Sequence, residues 1–487
     1  MPAEWEQKAR QKREALADKI PSEWRLPSHL IEKAKVTDNI LGIPRESGIL
    51  SEEELTITEN YDATAFLERL TTGQLTASKV ATAFCKRAAI AQQLTCCLTE
   101  IFFDQAIARA EELDRHLAAT GKPVGPLHGI PISLKDSFNV KGVHTTLGYV
   151  SFLGRPQLSV NSPMVDLLLR AGAIIYVKTH LPQTMMTCDS HTNVFGRTRN
   201  PYSRCLTAGG SCGGEGALIA MRGSILGVGT DVGGSTRIPS FCCGITGFKA
   251  SVGRLPFAGQ TPPGRLGLAG GIGVALGPLC TSLRDADLFF RTIVSSRPED
   301  MDDNSLGFSY IEPPPLKHQL TIGILPEDPE FPLQPPMYRT ITTVAQKLAA
   351  AGHRVIDLPS GDLPSLASTC KLAFRFFKLD PDHTPLQNIN NGDEPYVPSL
   401  SVLYDQDNPG PEPTLRDLYD LNVAKAQVAA KMRQAWLKSG VDVVIAPAYQ
   451  SCAPLHDTYG DNVYTVIWNV VDVCNSLGCY DLLLIAS

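Results

Sequence analysis

Short apolar runs alternate with amphipathic stretches through the middle of this chain, and that rhythm limits the fold more than any other feature. HGIPISL (128–134), AIIYVKT (from Ala173), SILGVGTDV, LTIGIL (320–325), HRVIDL and VDVVIAP have the length and flanks of strands. Between them lie helical patterns: SPMVDLLLRAG, GALIAMRG, TTVAQKLAAAG and residues 417–439. Strands alternating with helices predict an α/β domain whose mixed, largely parallel central sheet is covered by helices on both faces. With 43% hydrophobic and 19% charged residues among 487, the chain can bury such a core. Ahead of it, the first 60 residues read as a charged helical arm and then a loop. Ala63 to Leu94 carries two helical patterns, the second after a Thr76 N-cap, and a further helix stops at Gly121. Residues 311–336 and 380–413, rich in Pro and Asp, read as exposed connections, with a lid over a pocket as the alternative.

Charge and cysteine content narrow the class. Lys plus Arg is 44 against 50 Asp plus Glu, a net −6, which recommends neither a nucleic acid nor an anionic membrane as partner. No apolar run reaches the roughly 18 residues of a membrane span. MPAEWEQKARQKREALADKI lacks the apolar segment of a signal peptide, so a cytoplasmic protein is expected. The 13 cysteines include no zinc-finger spacing and mostly flank apolar or small residues, as in Phe241-Cys242-Cys243. They read as buried reduced thiols, with no structural metal.

Chemistry concentrates in three places. Lys135 ends an apolar strand, and two Gly/Ser turns follow at 209–216 and 230–237. In GTDVGGSTRIP, Gly233 and Gly234 let successive N–H groups point at one spot, and Ser235 projects its hydroxyl beside them. That suits acyl transfer, a nucleophile next to an oxyanion hole. Taken alone, however, Gly-Gly-Ser usually marks only a turn. A serine nucleophile needs a base. No histidine is paired with Ser235 by motif, and His180 and His191 read as structural. A strand-ending lysine normally snorkels to the surface; held inside, it loses the solvation of its charge and can act as a free amine. Ser211, in Gly209-Gly210-Ser211-Cys212-Gly213-Gly214-Glu215-Gly216, could relay a proton between Lys135 and Ser235 or merely cap the helix that follows. Spacing alone does not decide between these roles.

PISLKDSF, AGGSCGGEGALI and GTDVGGSTRIPSFCCGITGFK, in this order and at these separations, resemble the amidase signature family. The wider chain, through PVGPLHGIPISLKD, YVKTHLPQT, FGRTRNP, VVIAPA and YTVIWNVVD, is similar to its fungal acetamidase and general amidase branch over roughly residues 1 to 472. The resemblance implies a Ser–Ser–Lys triad: Ser235 as nucleophile, Ser211 as bridging serine on a cis peptide bond, and Lys135 as base. It implies an oxyanion hole from the backbone N–H groups of Val232, Gly233, Gly234 and Ser235. Asp231, Arg237 and Cys212 would support these groups, and Met185, Gly209 and Gly210 would meet the substrate. The implied reaction is hydrolysis of a small aliphatic or aryl monoamide to acid and ammonia through an acyl-enzyme, with no metal or cofactor and with a homodimer as the family's usual assembly.

Two departures stand out. Cys212 replaces a serine of the pattern, and a thiol is the weaker donor. After WNVVD the likeness stops at Val473-Cys474-Asn475-Ser476-Leu477-Gly478-Cys479 and DLLLIAS. The expected organisation is therefore an arm (1–60), an amidase signature domain (61–472) and a non-family tail (473–487). A truncated, catalytically impaired homologue is the alternative, with an exposed sheet edge. A GxSxG esterase, from Gly209 to Gly213, is the lesser rival, because NPYSRCLTA is not the strand such an elbow requires. Which amide is cleaved is not written in the spacing.

Overall fold

The computed structural model describes residues 2–477 apart from 268–270, 313–314, 316–318, 403 and 405–410. Its strands, in chain order, are β1 (Leu98–Ile101), β2 (Pro131–Lys135), β3 (Ile174–Thr179), β4 (His191–Thr192), β5 (Gly196–Arg197) and β6 (Leu226–Asp231). There follow β7 (Thr246–Lys249), β8 (Ala275–Cys280), β9 (Thr321–Ile324), β10 (Arg354–Asp357), β11 (Val443–Ile445) and β12 (Asn475–Leu477). Seven of them form one sheet in the order β1-β3-β2-β6-β8-β7-β12, and β10-β9-β11 form a smaller one. β2, β3, β6 and β8 are buried at every position, so the central sheet is covered on both faces.

The sheet is mixed, as expected, but less parallel than the strand–helix rhythm implies. β3, β2 and β6 pair in parallel, whereas β1–β3, β6–β8, β8–β7 and β7–β12 are antiparallel. Antiparallel neighbours need no helical crossover, and among the described residues none separates β7 from β8, so the alternation rule has nothing to detect there. The small sheet is wholly parallel.

Local signals explain the helix ends. Thr76 caps Ala77–Thr95 by accepting from the Lys79 N–H, and Gly121, at φ 66°, closes Phe103–Thr120 in the left-handed conformation. The first 60 residues are not an arm followed by a loop. Beyond Glu4–Asp18 come the helices Ser28–Val36, Ile43–Glu46 and Glu52–Asn60. The last begins with a reciprocal box: Ser51 Oγ accepts from the Glu54 N–H while the Glu54 carboxylate accepts from the Ser51 N–H. Leu16, Ile20, Trp24 and Leu30 join the main core.

The described residues of 380–413 also differ from an exposed connection. They contain the helix Thr384–Asn390, and Val397, Leu400 and Tyr404 pack with Leu147, Tyr149 and Leu181, against which Met185 and Met186 lie. The described part of 473–487 supplies β12, whose Asn475–Leu477 pair with Lys249–Gly247 at the edge of the sheet. Residues 478–487, Cys479 included, lie outside the described residues. None of the twelve described cysteines is in a disulfide; most are buried, but Cys205 and Cys452 are exposed.

Candidate active site

β2 and β6 are parallel neighbours, Ile132 opposite Leu226 and Leu134 opposite Val228, so Lys135 and Asp231 emerge at the same edge of the sheet. Ligands of open α/β sheets gather in such a crevice at the carboxyl ends of strands. The turn after β6 carries residues 232–235 into the helix Arg237–Cys243, and the loop carrying Ser211 opens the helix Gly213–Ala220.

Lys135 does not snorkel: its side chain is fully buried. Its Nζ donates to Ser211 Oγ at 2.6 Å and to Thr230 Oγ1 at 2.9 Å, so its partners are hydroxyls rather than a carboxylate. Ser211 is thereby a partner of the lysine and not the cap of the next helix, whose N-cap position is Cys212. The Gly210–Ser211 peptide is cis. The two serine segments are tied together where the Cys212 N–H donates to the Ser235 carbonyl at 3.1 Å. Cys212, in the position of the missing serine, points its thiol at the Thr230 carbonyl, 3.4 Å away.

Asp231 braces the turn. Its carboxylate accepts from Arg237 Nε at 3.0 Å and Nη2 at 2.9 Å, from the Gly234 N–H at 2.8 Å, from the Thr236 N–H at 3.1 Å and from Asn469 Nδ2 at 2.9 Å. Burial by itself raises a carboxyl's pKa, but the Arg237 guanidinium and these bonds outweigh it and hold Asp231 well below the usual range. The Gly233 carbonyl is held from the other side by Thr465 Oγ1, at 2.8 Å, and by Asn462 Nδ2. One of the four implied oxyanion donors, Gly234, thus already has an acceptor. Among the described residues none takes the N–H of Val232, Gly233 or Ser235.

Glycine is required where the chains pass closest. Gly234 has φ +131°, and a Cβ there would lie 2.5 Å from Thr465 Oγ1; at Gly210 it would lie 2.3 Å from the Thr187 carbonyl. Glu215, in the first turn of the Gly213–Ala220 helix, accepts from Ser133 Oγ at 2.6 Å and Thr179 Oγ1 at 2.9 Å. Burial pushes its carboxyl up to about 7.

Half-buried Ser235 opens onto a cleft of about 650 Å³, counting the space at its mouth. Met185, Gly210, Val232 and Gly233 line it, as do Phe374 and Phe377. Gly209 does not line it and instead packs against Pro239. The aromatic pair, Asn462, Thr465 and Thr230 escaped the sequence reading. Phe374 and Phe377 look like any apolar helix face, and Asn462 and Thr465 arrive from more than 200 residues away in sequence. His180 is structural: its ring nitrogens meet Thr198 Oγ1 and Thr192 Oγ1, and burial pushes the imidazole down to about 3. No strand runs into Ser211, so the GxSxG elbow is not built.

Comparison with known proteins places the chain in a family. Residues 79–482 match the Amidase family. The chain is 39% identical over 479 residues to an amidase of Gibberella moniliformis, across 97% of this chain and 89% of that protein. It is 36% identical over 499 residues to an acetamidase of Emericella nidulans, across 97% and 86%. The solved structure of a fatty acid amide hydrolase superposes with a TM-score of 0.90 at 30% identity, covering 97% of this chain and 83% of that one. The chain belongs to the amidase signature family and is an amide hydrolase.

Proposed function

We propose that the chain hydrolyses a small aliphatic or aryl primary amide through a Ser235–Ser211–Lys135 triad and an acyl-enzyme. The observation that carries this reading is the buried Lys135 side-chain nitrogen, 2.6 Å from Ser211 Oγ, in a segment tied to Ser235, which lines the cleft. Lys135, as a free amine, takes the Ser211 proton while Ser211 takes that of Ser235, whose oxygen bonds to the amide carbon. The tetrahedral oxyanion rests on the N–H groups of Val232, Gly233 and Ser235. Ser211 then delivers a proton to the amide nitrogen and is reprotonated by Lys135, the C–N bond breaks, and ammonia leaves. Water attacks the acyl-enzyme, giving up a proton through Ser211 to Lys135. Ser235 recovers its proton as the acid departs. Met185 forms part of the wall against which the acyl group lies.

The test is turnover of acetamide and benzamide, read as released ammonia. Ser235→Ala and Lys135→Ala should each lower kcat by about a thousandfold or more. Activity retained in Ser235→Ala overturns the triad, and a folded wild-type chain that turns over no amide favours the impaired-homologue reading.

A further inference from the structure

Hydrogen-bonding groups that face nothing are uncommon in a protein interior, because each costs its desolvation without return. Three such atoms belong to residues that line the cleft: Ser399 Oγ, Asp457 Oδ1 and Tyr459 Oη are buried and have no hydrogen-bond partner among the described residues. Met185, Met186, Phe374 and Phe377, which line the same cleft, are apolar and cannot satisfy them.

The surroundings make this a built feature rather than a loose surface. Arg197 Nη2 donates to Asp457 Oδ2 at 2.6 Å while its Nη1 donates to Asp189 Oδ2 at 2.8 Å, and the Asp457 N–H also donates to Asp189 Oδ2, at 2.8 Å. His456 Nδ1 sits 3.2 Å from the same oxygen. Asp457 is thus fixed at one carboxylate oxygen and bare at the other. Its left-handed backbone, φ 61°, is a conformation that Asp and Asn tolerate. Tyr459 stacks on Tyr449 with ring centroids 4.1 Å apart, which fixes its phenol. Burial raises that phenol's pKa well above its usual value, so it stays a protonated donor. Around Arg197 the fixed charges are two carboxylates against one guanidinium, a balance that favours a donor or a cation over an anion.

We infer that Ser399, Asp457 and Tyr459 form a polar subsite for the distal end of the acyl chain, and that the preferred substrates are primary amides bearing a hydroxyl or amino group remote from the carbonyl. The donor of that group would meet Asp457 Oδ1, and the hydroxyls of Tyr459 and Ser399 would bond its remaining positions. The inference rests on the amide-hydrolase reading above and names the substrate class within it. A plain alkyl amide of the same length would leave all three atoms unpaired, and a site built to hydrogen-bond its ligand rejects the analogue that lacks the group.

The experiment measures binding without turnover. The Ser235→Ala chain is titrated calorimetrically with matched amides of three to six carbons, each as the unsubstituted, ω-hydroxy and ω-amino form. At one chain length the ω-hydroxy or ω-amino amide should bind about tenfold more tightly than its alkyl counterpart, as expected of a hydrogen bond to a charged group. That ratio should fall towards one in Tyr459→Phe and Asp457→Asn. The hydroxy arm leading indicates a neutral donor, and the amino arm leading indicates recognition of the cation. Equal affinity of alkyl and substituted amides at every length, or an unchanged ratio in both variants, overturns the subsite. Failure of the triad is read separately, from ammonia release by the wild-type chain.

Discussion

Gly234 is the position at which a single methyl group matters most. A Cβ there would meet Thr465 Oγ1 at 2.5 Å and Ile238 Cδ1 at 2.7 Å, on a backbone at φ +131°. Gly234→Ala should therefore cost about 2 kcal/mol of stability in urea unfolding and depress amide turnover. A variant that kept wild-type stability would show that the turn accommodates a side chain. Arg237 is the other such position. Its removal leaves the buried Asp231 carboxylate without its cation, and breaking a buried pair costs about 3–5 kcal/mol. The sign with pH follows from the lowered native pKa of Asp231. Its contribution is in force above the unfolded value of 3.8 and is lost as pH falls through the native one. Arg237→Ala should thus lose stability at neutral pH and lose much less further on acidification, as followed by urea midpoints at several pH values. Lys135, Ser211, Ser235 and Gly234 were legible because each carries a residue type that its chemistry demands, in a long and specific motif. Asn462, Thr465 and Thr230 were not, since Asn and Thr serve as caps and turns everywhere, and only the fold brings them to the Gly233 carbonyl and to Lys135 Nζ.

At the scale of elements, the parallel trio β3–β2–β6 and the Gly213–Ala220 helix form the frame of the site. Glu215 joins them, bonded to Ser133 on β2 and Thr179 on β3. Its native pKa, raised by burial from 4.5 to about 7, means that the folded chain binds more protons than the unfolded one between those values. Stability should fall as pH rises through that window, by about 3 kcal/mol for this group, and level off above it. Glu215→Gln should flatten this slope in thermal unfolding between pH 5 and 7.5 (roughly the window just named), whereas an unchanged slope would mean that another group carries it. The strands of this frame were readable as apolar runs because they are buried on both faces. β7 and β8 were not: TGFK and ALGPLC are short and interrupted by Gly or Pro, and their antiparallel pairing leaves no helix between them to announce a crossover.

At the scale of the whole molecule, the first helix, Glu4–Asp18, is tied to the edge strand β1. Lys12 and Lys19 both reach Glu100, a buried carboxylate at the end of β1, and Arg13 Nη1 donates to the Val194 carbonyl at 2.7 Å. Replacing Lys12 and Lys19 together by Met should destabilise the chain by about 3 kcal/mol, and adding Glu100→Gln should recover a good part of it. Equal midpoints for the double and triple variants would show that the ion pairs do not carry the attachment. The loop expected before residue 60 turned out helical because short capped segments such as Glu52–Asn60 carry too few turns for periodicity to register. The packed segment within residues 384–404 was hidden by its Pro and Asp content, although Val397, Leu400 and Tyr404 supply its packing. The central claim, that Lys135 and Ser211 activate Ser235, is tested most directly by labelling the intact chain with a serine-reactive fluorophosphonate and locating the adduct by peptide mass. The account predicts one adduct, on Ser235, that is lost in Lys135→Ala. An adduct elsewhere, or none on a folded chain, would contradict it.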